Sequence, residues 1–157
     1  MTYTLFERHR GEFVVSTDPR RLDLDAIHAW LVRSYWSAGI PRSVLERGIE
    51  SSLCFGVYRG DRQVGFARMI TDRATYAYLA DVYIDEPHRG HGLGAWLVGA
   101  ILEHPELQGL RRFSLVTRDA HSLYARLGFE SLAHPERHME IVRPAAELYG
   151  PPPESPA

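Results

Sequence analysis

The chain has 157 residues, of which 45% are hydrophobic and 24% charged, proportions typical of one soluble globular domain with a sizeable core. The formal net charge of −2 gives no electrostatic basis for binding nucleic acid or a membrane surface. The first residues contain no apolar segment typical of a signal peptide, and no apolar run of about 18 residues occurs. The single cysteine cannot form an internal disulfide, so we expect a cytoplasmic protein.

The amino-terminal third is predicted to contain extended segments followed by two helices. Residues 3–15 hold one or two extended segments. Asp23 is the candidate cap of a helix over about residues 24–34, since its carboxylate can accept a backbone N–H of the first turn. Proline suits a first helical turn, and a second helix is predicted over residues 41–50.

Three strands are predicted next, at residues 53–58, 63–70 and 75–84. The first two are joined by a short glycine turn at residues 59–62, which favours an antiparallel hairpin. Cys54 lies in the first of these strands. The sequence places no base or electropositive group beside it, so we interpret Cys54 as a core residue rather than a nucleophile.

A glycine-rich loop follows the strand at residues 75–84. Residues 89–94, Arg-Gly-His-Gly-Leu-Gly, place three glycines in five positions, directly before a helix with Leu93, Leu97 and Ile101 on one stripe. The start of a helix presents unpaired N–H groups and the positive end of its dipole. The loop is therefore a candidate site for a phosphate or pyrophosphate.

Two other phosphate-binding motifs do not fit this loop. A P-loop needs Lys and then Ser or Thr at the start of the helix, and here Gly94 is followed by Ala95 and Trp96. A dinucleotide fingerprint needs G-x-G-x-x-G directly after the strand, whereas here the spacing is G-x-G-x-G and a turn intervenes. Too few residues follow for the second half of a dinucleotide-binding domain.

The remaining chain is predicted to complete the sheet. Residues 112–117 form a strand that should lie parallel to the strand before the glycine loop, because a helix connects the two. Residues 120–127 form a short helix. Residues 129–133 and 139–142 form a final hairpin, and the Pro-rich residues 144–157 form a disordered tail outside the fold.

Two local motifs resemble those of the GNAT-type N-acetyltransferase superfamily. Residues 89–94 resemble its Q/R-x-x-G-x-G/A motif, and residues 120–129 resemble its A-x-x-L-Y-x-x-x-G-F segment. The predicted order of strands and helices also matches. The resemblance covers about residues 12–143 and implies a mixed α/β (α+β) sheet of about six or seven strands with a splayed parallel pair, flanked by about four helices. We expect a single domain over residues 1–143.

The resemblance also implies acetyl-CoA as co-substrate and indicates which residues hold it. Main-chain groups of Val82, Tyr83 and Ile84 pair with the pantetheine arm. Many relatives carry Asn where this chain has Thr117, so the resemblance does not carry over one side-chain contact to that arm. The pyrophosphate meets the loop and the start of the helix, at Arg89, Gly90, His91, Gly92, Leu93, Gly94 and Ala95.

Two residues are candidates for proton transfer. Tyr124 matches the tyrosine that, in many relatives, protonates the departing sulfur, and a phenol is a suitable acid towards a thiolate of similar basicity. Asp81 is the candidate general base, and the alternative is a hydrogen-bonded aspartate at a strand end. Tyr78 and His28 are further candidates for the base.

The sequence therefore predicts an N-acetyltransferase that moves an acetyl group from acetyl-CoA to the amine of a small molecule or amino acid, by direct transfer in a ternary complex. The alternative is a non-catalytic acyl-CoA-binding sensor or scaffold. Tyr35 and Trp36, between the first two helices, form either a substrate-facing flap or part of the core. The sequence leaves open whether the chain forms a homodimer.

No metal site is expected. His134 and His138 are four residues apart, but Pro135 and the predicted strand deny them a common helix face. The sequence also lacks an H-E-x-x-H motif.

Overall fold

The computed structural model describes residues 4–151 and 153–154. Six strands form one mixed sheet, and their order in the sheet follows their order in the chain. All neighbouring strands are antiparallel except β5 and β6, which are parallel. The strands are β1 (Glu7–Arg10), β2 (Phe13–Ser16), β3 (Leu53–Arg59), β4 (Arg62–Thr71), β5 (Tyr76–Ile84) and β6 (Arg112–Ser114). The predicted mixed sheet with one parallel pair is confirmed.

Five α-helices are present within the described residues, one more than expected. Asp23 caps the first of them, because its carboxylate accepts the N–H of Ala26 at 3.0 Å, as predicted. The helix that follows the glycine-rich loop is the longest, at 10 residues, and no described helix is long and apolar enough to span a bilayer. The helices are α1 (Leu24–Leu31), α2 (Arg42–Glu50), α3 (Leu93–Leu102), α4 (His121–Ala125) and α5 (Ala145–Tyr149).

The sheet is covered on both faces, which explains why β3 is buried over nearly its whole length. Phe55 and Val57 point to the core cluster that includes the α3 side chains. Cys54 points to the opposite cluster, under α1 and α2, together with Ile27. Successive side chains of a strand face opposite sides, so Cys54 lies in the core as predicted.

A β-bulge interrupts the pairing of β4 with β5 near the middle of β5. Phe66 pairs with Tyr83 and Arg68 with Ala80, so a single β4 residue lies opposite both Asp81 and its successor. Asp81 has φ of +58°, an uncommon value for a residue other than glycine. The pairing of β5 with β6 ends three residues earlier, at Tyr78. Beyond that point the two strands diverge and leave a gap.

The predicted carboxy-terminal hairpin is wrong. Residues 129–142 contain no strand, and residues 135–137 form a 3-10 turn instead. Met139 is 98% and Ile141 93% exposed, so neither packs on the sheet. Alternating apolar residues form a stable strand only where a neighbouring strand accepts the backbone bonds and a core buries one face. The β6 strand is also shorter than predicted, ending at Ser114.

The chain after Pro144 differs from the expected disordered tail. Residues 145–149 form α5, and Tyr149 packs against the cluster under α1 and α2. The expectations for residues 1–3, 152 and 155–157 lie outside the described residues.

A buried histidine gives the core a dependence on pH. The His104 ring lies 4.9 Å from the Phe6 ring and 5.6 Å from the Phe55 ring, and its Nδ1 accepts the N–H of Glu106 at 3.1 Å. Burial lowers the pKa of His104 below its ordinary 6.5, the Glu106 carboxylate opposes this, and the Arg73 guanidinium adds to it. The folded protein therefore holds this imidazole neutral more strongly than the unfolded chain does.

The stability of the protein is expected to fall as the pH drops below about 6.5, because the unfolded chain then binds a proton that folded His104 resists. One such proton changes the free energy of unfolding by at most about 1.4 kcal/mol per pH unit. His104→Asn keeps an acceptor for the capping N–H and does not titrate. Urea unfolding measures the free energy of unfolding at about pH 7.5 and about pH 5.5. The decrease between the two pH values should be smaller for the variant than for the wild type, and equal decreases would contradict this prediction.

Candidate functional site

The gap between β5 and β6 opens into a cleft of about 550 Å³, a volume suited to a small ligand. It brings together the two main candidates for proton transfer and the two flap candidates, which come from three separate segments of the chain. They are Tyr35, Trp36, Asp81 and Tyr124. A larger, open hollow of about 1060 Å³ lies beside β6 and also reaches Tyr124, but it is lined by none of the other three.

Asp81 is the most engaged side chain in the cleft. Its Oδ2 accepts a hydrogen bond from Arg68 Nε at 2.5 Å, and its Oδ1 accepts one from Trp36 Nε1 at 2.9 Å. The side chain is only 5% exposed. The bulge at Asp81 and the register of β4 against β5 position the carboxylate beside Arg68. Each carboxylate oxygen accepts one bond and keeps a second acceptor site, so Asp81 retains the capacity to accept a further proton donor.

Tyr124 projects from α4 into the cleft. Its ring packs edge-on against the Phe129 ring at 5.8 Å, in contact with the α3 side of the core. Burial raises the pKa of the Tyr124 phenol, and the nearby Tyr35 hydroxyl adds to the effect. The phenol therefore stays protonated to higher pH than an exposed tyrosine, as an acid catalyst requires.

Tyr35 and Trp36 lie across the mouth of the cleft and are not core residues. Trp36 is bound to β5 through Asp81 and remains 40% exposed. The Tyr35 hydroxyl accepts the N–H of Arg118, beyond β6, at 3.2 Å. This segment therefore bridges both sides of the gap, which supports the interpretation as a substrate-facing flap.

The glycine-rich loop lies at the carboxyl end of β5. Gly90 and Gly92 have φ of +82° and +75°, values that L-residues rarely adopt, and Gly92 is the cap of α3. Leu93 is buried at the start of that helix, and a Cβ on Gly94 would lie 3.9 Å from Ile84. The loop and the first turn of α3 thus form an open cradle next to the end of β5. Ala95, in that first turn, is half-buried.

The side chain of Arg89 contacts its own strand end. Its Nε donates to the carbonyl of Ile84 at 2.8 Å, and its guanidinium lies 4.9 Å from the Tyr83 ring. The Tyr83 ring also stacks on the Trp30 ring of α1, with the ring centres 5.4 Å apart. His91 is exposed, with Nδ1 at 3.2 Å from the Arg89 carbonyl oxygen. The half-buried Val82 lines the cleft.

Arg10 contacts the glycine loop from β1 and was not identified from the sequence. Its guanidinium donates to the carbonyls of His91 and Gly92, each at 3.3 Å, and lies 6.0 Å from the Trp96 ring. Arginine on a short exposed strand carries no local sign of such a role. Only the packing of the first hairpin against the loop reveals it.

Arg68 was also missed, although the sequence contains a signal for it. It is one of two arginines in the β4 segment RQVGFARMIT, and it lies among apolar residues. A charged side chain in a buried strand requires a partner. Arg68 has Asp81 and also donates to the Ser52 hydroxyl at 3.0 Å.

The remaining candidates contribute little chemistry. His28 bonds to the carbonyl of Ile40 at 2.8 Å, outside the cleft. Tyr78 lines the cleft, and burial raises the pKa of its phenol. Burial raises the pKa of the Cys54 thiol to about 12. Within the part of the chain that the structure describes, no group of three or more His, Cys, Asp or Glu side chains could hold a metal ion.

Comparison with known proteins places these features in a family. A model of the acetyltransferase (GNAT) family matches residues 24–129. A protein of Gibberella zeae, named as a candidate acetyltransferase, is 39% identical over 140 residues, which cover 74% of this chain and 78% of that protein.

Solved structures show the same similarity. A candidate GNAT-family acetyltransferase of Xanthomonas campestris pv. campestris is 48% identical, with a TM-score of 0.83, over 85% of this chain and 94% of that chain. A Mycobacterium tuberculosis protein solved in complex with CoA and NLQ is 21% identical, with a TM-score of 0.56, over 72% of this chain and 71% of that chain. This second similarity supports the fold alone.

Proposed function

This chain belongs to the GNAT family of acetyltransferases, and on that premise we propose that it moves an acetyl group from acetyl-CoA to the amine of a small molecule or amino acid by direct transfer. The observation that carries the proposal is the cleft between β5 and β6. A candidate acid, Tyr124, and a candidate base, Asp81, both line this cleft, at the sheet edge from which the glycine loop leads into α3.

The cradle at the start of α3 fits a pyrophosphate, since its glycines leave the loop free of side chains and the helix supplies unpaired N–H groups. Backbone groups of the loop and of Val82–Ile84 would hold the co-substrate. Acetyl-CoA, when bound, supplies a thioester whose acyl carbon accepts the amine nitrogen, so that the C–S bond breaks, one proton leaves nitrogen and one reaches sulfur.

The two candidate side chains would move those protons. Tyr124 would donate its phenolic proton to the sulfur, and its raised pKa keeps that proton in place at neutral pH. Asp81 would accept the amine proton directly or through a water, with its oxygens already oriented by Arg68 and Trp36. The role of Asp81 as base stays a prediction.

The proposal is tested by turnover of acetyl-CoA against a panel of amines, amino acids and peptides, with release of CoA followed by a thiol reagent. Cys54 is the only cysteine and is buried with a raised pKa, so the native protein should contribute little to that signal. Amine-stimulated release of CoA together with acetylated amine supports the proposal. Binding of acetyl-CoA without turnover of any acceptor would instead favour a non-catalytic sensor or scaffold.

Arg10→Ala is expected to weaken acetyl-CoA binding by up to about tenfold, because two hydrogen bonds that hold the loop are lost. Arg8→Ala is the matched control. Arg8 lies on the same strand but contacts Glu103 at 3.1 Å and the Phe6 ring, away from the loop. The affinity of both variants for acetyl-CoA is measured by titration calorimetry. An equal loss of affinity in the two variants would show that Arg10 does not contribute to the site.

Trp36→Ala is expected to raise the KM of the acceptor by about tenfold or more while leaving acetyl-CoA affinity nearly unchanged, since Trp36 forms the mouth of the cleft and is remote from the glycine loop. The protein should remain folded because the side chain is 40% exposed. Trp36→Phe keeps a ring and loses the bond to Asp81, which separates the two contributions. A variant that binds its acceptor as the wild type does would exclude the flap from recognition.

A further inference from the structure

The charged residues that line the cleft are already paired with one another. They number four, two arginines and two aspartates. Arg68 and Asp81 form one pair, at 2.5 Å and largely shielded from solvent. Arg118 and Asp119 form the other, looser pair at the rim, at 3.7 Å. Inside the described lining the only charges shielded from solvent are therefore those of Arg68 and Asp81, which neutralise each other, whereas Arg118 and Asp119 are 64% and 70% exposed.

Arg118 is further engaged by an aromatic ring. Its guanidinium carbon lies 3.9 Å from the centre of the Tyr35 ring, within the range of a cation–π contact. Its backbone N–H also donates to the hydroxyl of that tyrosine. The Arg118 side chain is 64% exposed, so a carboxylate that met the guanidinium edge would do so at the rim, where solvent screens an ion pair.

The other walls of the cleft are aromatic or aliphatic. Tyr35 and Trp36 meet edge to face at 4.9 Å across the mouth. Tyr78 lies on β5, and Ile70, opposite it on β4, is exposed towards the cleft. The flap itself is held in shape, because the Ser34 hydroxyl donates to the Leu31 carbonyl at 2.7 Å and accepts the N–H of Ser37 at 3.1 Å.

We infer that the acceptor is a primary amine carried on an aromatic or alkyl body that has no carboxylate and no second charge. This inference rests on the proposed function and narrows its substrate class. A carboxylate brought into the cleft would lose water without gaining a free cation, because Asp81 already neutralises Arg68. An ammonium group can approach the aromatic faces, and an apolar body can cover them.

Matched pairs of amines test the inference directly. The ratio of kcat/KM is measured for 2-phenylethylamine against phenylalanine, tyramine against tyrosine, and hexylamine against 6-aminohexanoate. In each pair the two amines differ chiefly by the carboxylate. We expect the member without it to be preferred by about 100-fold or more, as for a charge buried without a partner.

A single new cation in the cleft should reduce this preference. Ile70→Lys places an unpaired ammonium among the lining residues, and the preference should fall by about tenfold. Leu5→Lys is the control, since Leu5 is similarly exposed, at 53% against 44% for Ile70, but is not part of the cleft lining. It adds the same charge to the protein and should leave the ratio unchanged.

The outcomes separate the two proposals. Equal kcat/KM values for the two members of each pair, or a higher value for the member with the carboxylate, would overturn the inference. The proposed acetyl transfer to an amine would still be supported. Failure of every amine to release CoA would overturn the proposed function and the inference with it. The kcat/KM ratios measured with the wild-type protein test the inference even if the Ile70→Lys variant does not fold.

Discussion

Tyr124→Phe is expected to lower kcat by roughly 10²–10⁴-fold, the range typical of a lost general acid, while the protein stays folded. The substitution removes one hydroxyl and keeps the ring, so the edge-on contact with Phe129 and the packing on the α3 core are preserved. The KM values should change little, because the ground-state sulfur carries little charge and gains little from a donor.

The pH dependence of the activity provides a second test of Tyr124 as the acid. Burial raises the pKa of Tyr124 above its ordinary value of 10, so the loss of activity caused by its deprotonation should lie above pH 10. A decline at lower pH in the wild-type protein would belong to another group and should persist in the variant.

Tyr76→Phe is the matched control for this experiment. Tyr76 begins β5, the strand that carries Asp81, and its hydroxyl bonds to Ser114, but it is not part of the cleft lining. Steady-state kinetics should therefore show wild-type kcat for this variant. Equal kcat values for wild type and Tyr124→Phe would exclude Tyr124 as the acid, and a water or another residue would have to supply the proton.

Gly92→Glu is expected to abolish acetyl-CoA binding. Gly92 caps α3 with φ of +75°, so a side chain is strained there, and the glutamate adds a negative charge where the pyrophosphate is proposed to bind. A new Cβ would lie 3.6 Å from the Arg10 guanidinium, so the carboxylate would also draw Arg10 away from the loop carbonyls. In the wild-type protein acetyl-CoA should raise Tm, because binding to the folded state stabilises it.

The control for Gly92→Glu carries the same charge and the same strain at another site. Gly60 lies in the turn between β3 and β4 with φ of +60°, and nothing surrounds its Cβ position within 4 Å. Gly60→Glu should lower the basal Tm and keep the rise with acetyl-CoA. Gly92→Ala separates strain from charge. A folded Gly92→Glu protein whose Tm still rises with acetyl-CoA as in the wild type would show that the loop assignment is wrong.

Local features of the sequence were sufficient to predict most of the sheet and the glycine loop. The β3–β4 hairpin follows from a glycine turn, and α1 follows from the Asp23 cap, because both depend on groups a few residues apart. The loop and α3 are likewise contiguous, so their cradle was readable from residues 89–94. The helix between the strands predicted that β5 and β6 are parallel, and the resemblance to the superfamily then added the gap between them.

Only the tertiary structure determined which side chains meet in the cleft. Asp81 contacts Arg68 through the antiparallel register and the bulge, and it contacts Trp36 across 45 residues of chain. Arg10 reaches the glycine loop across 82 residues. The same dependence on distant partners explains the missing hairpin at residues 129–142, since its alternating pattern was present but no core surface covered it. Long-range contacts of this kind depend on strand register and on how the elements pack, and periodicity along the chain does not specify either.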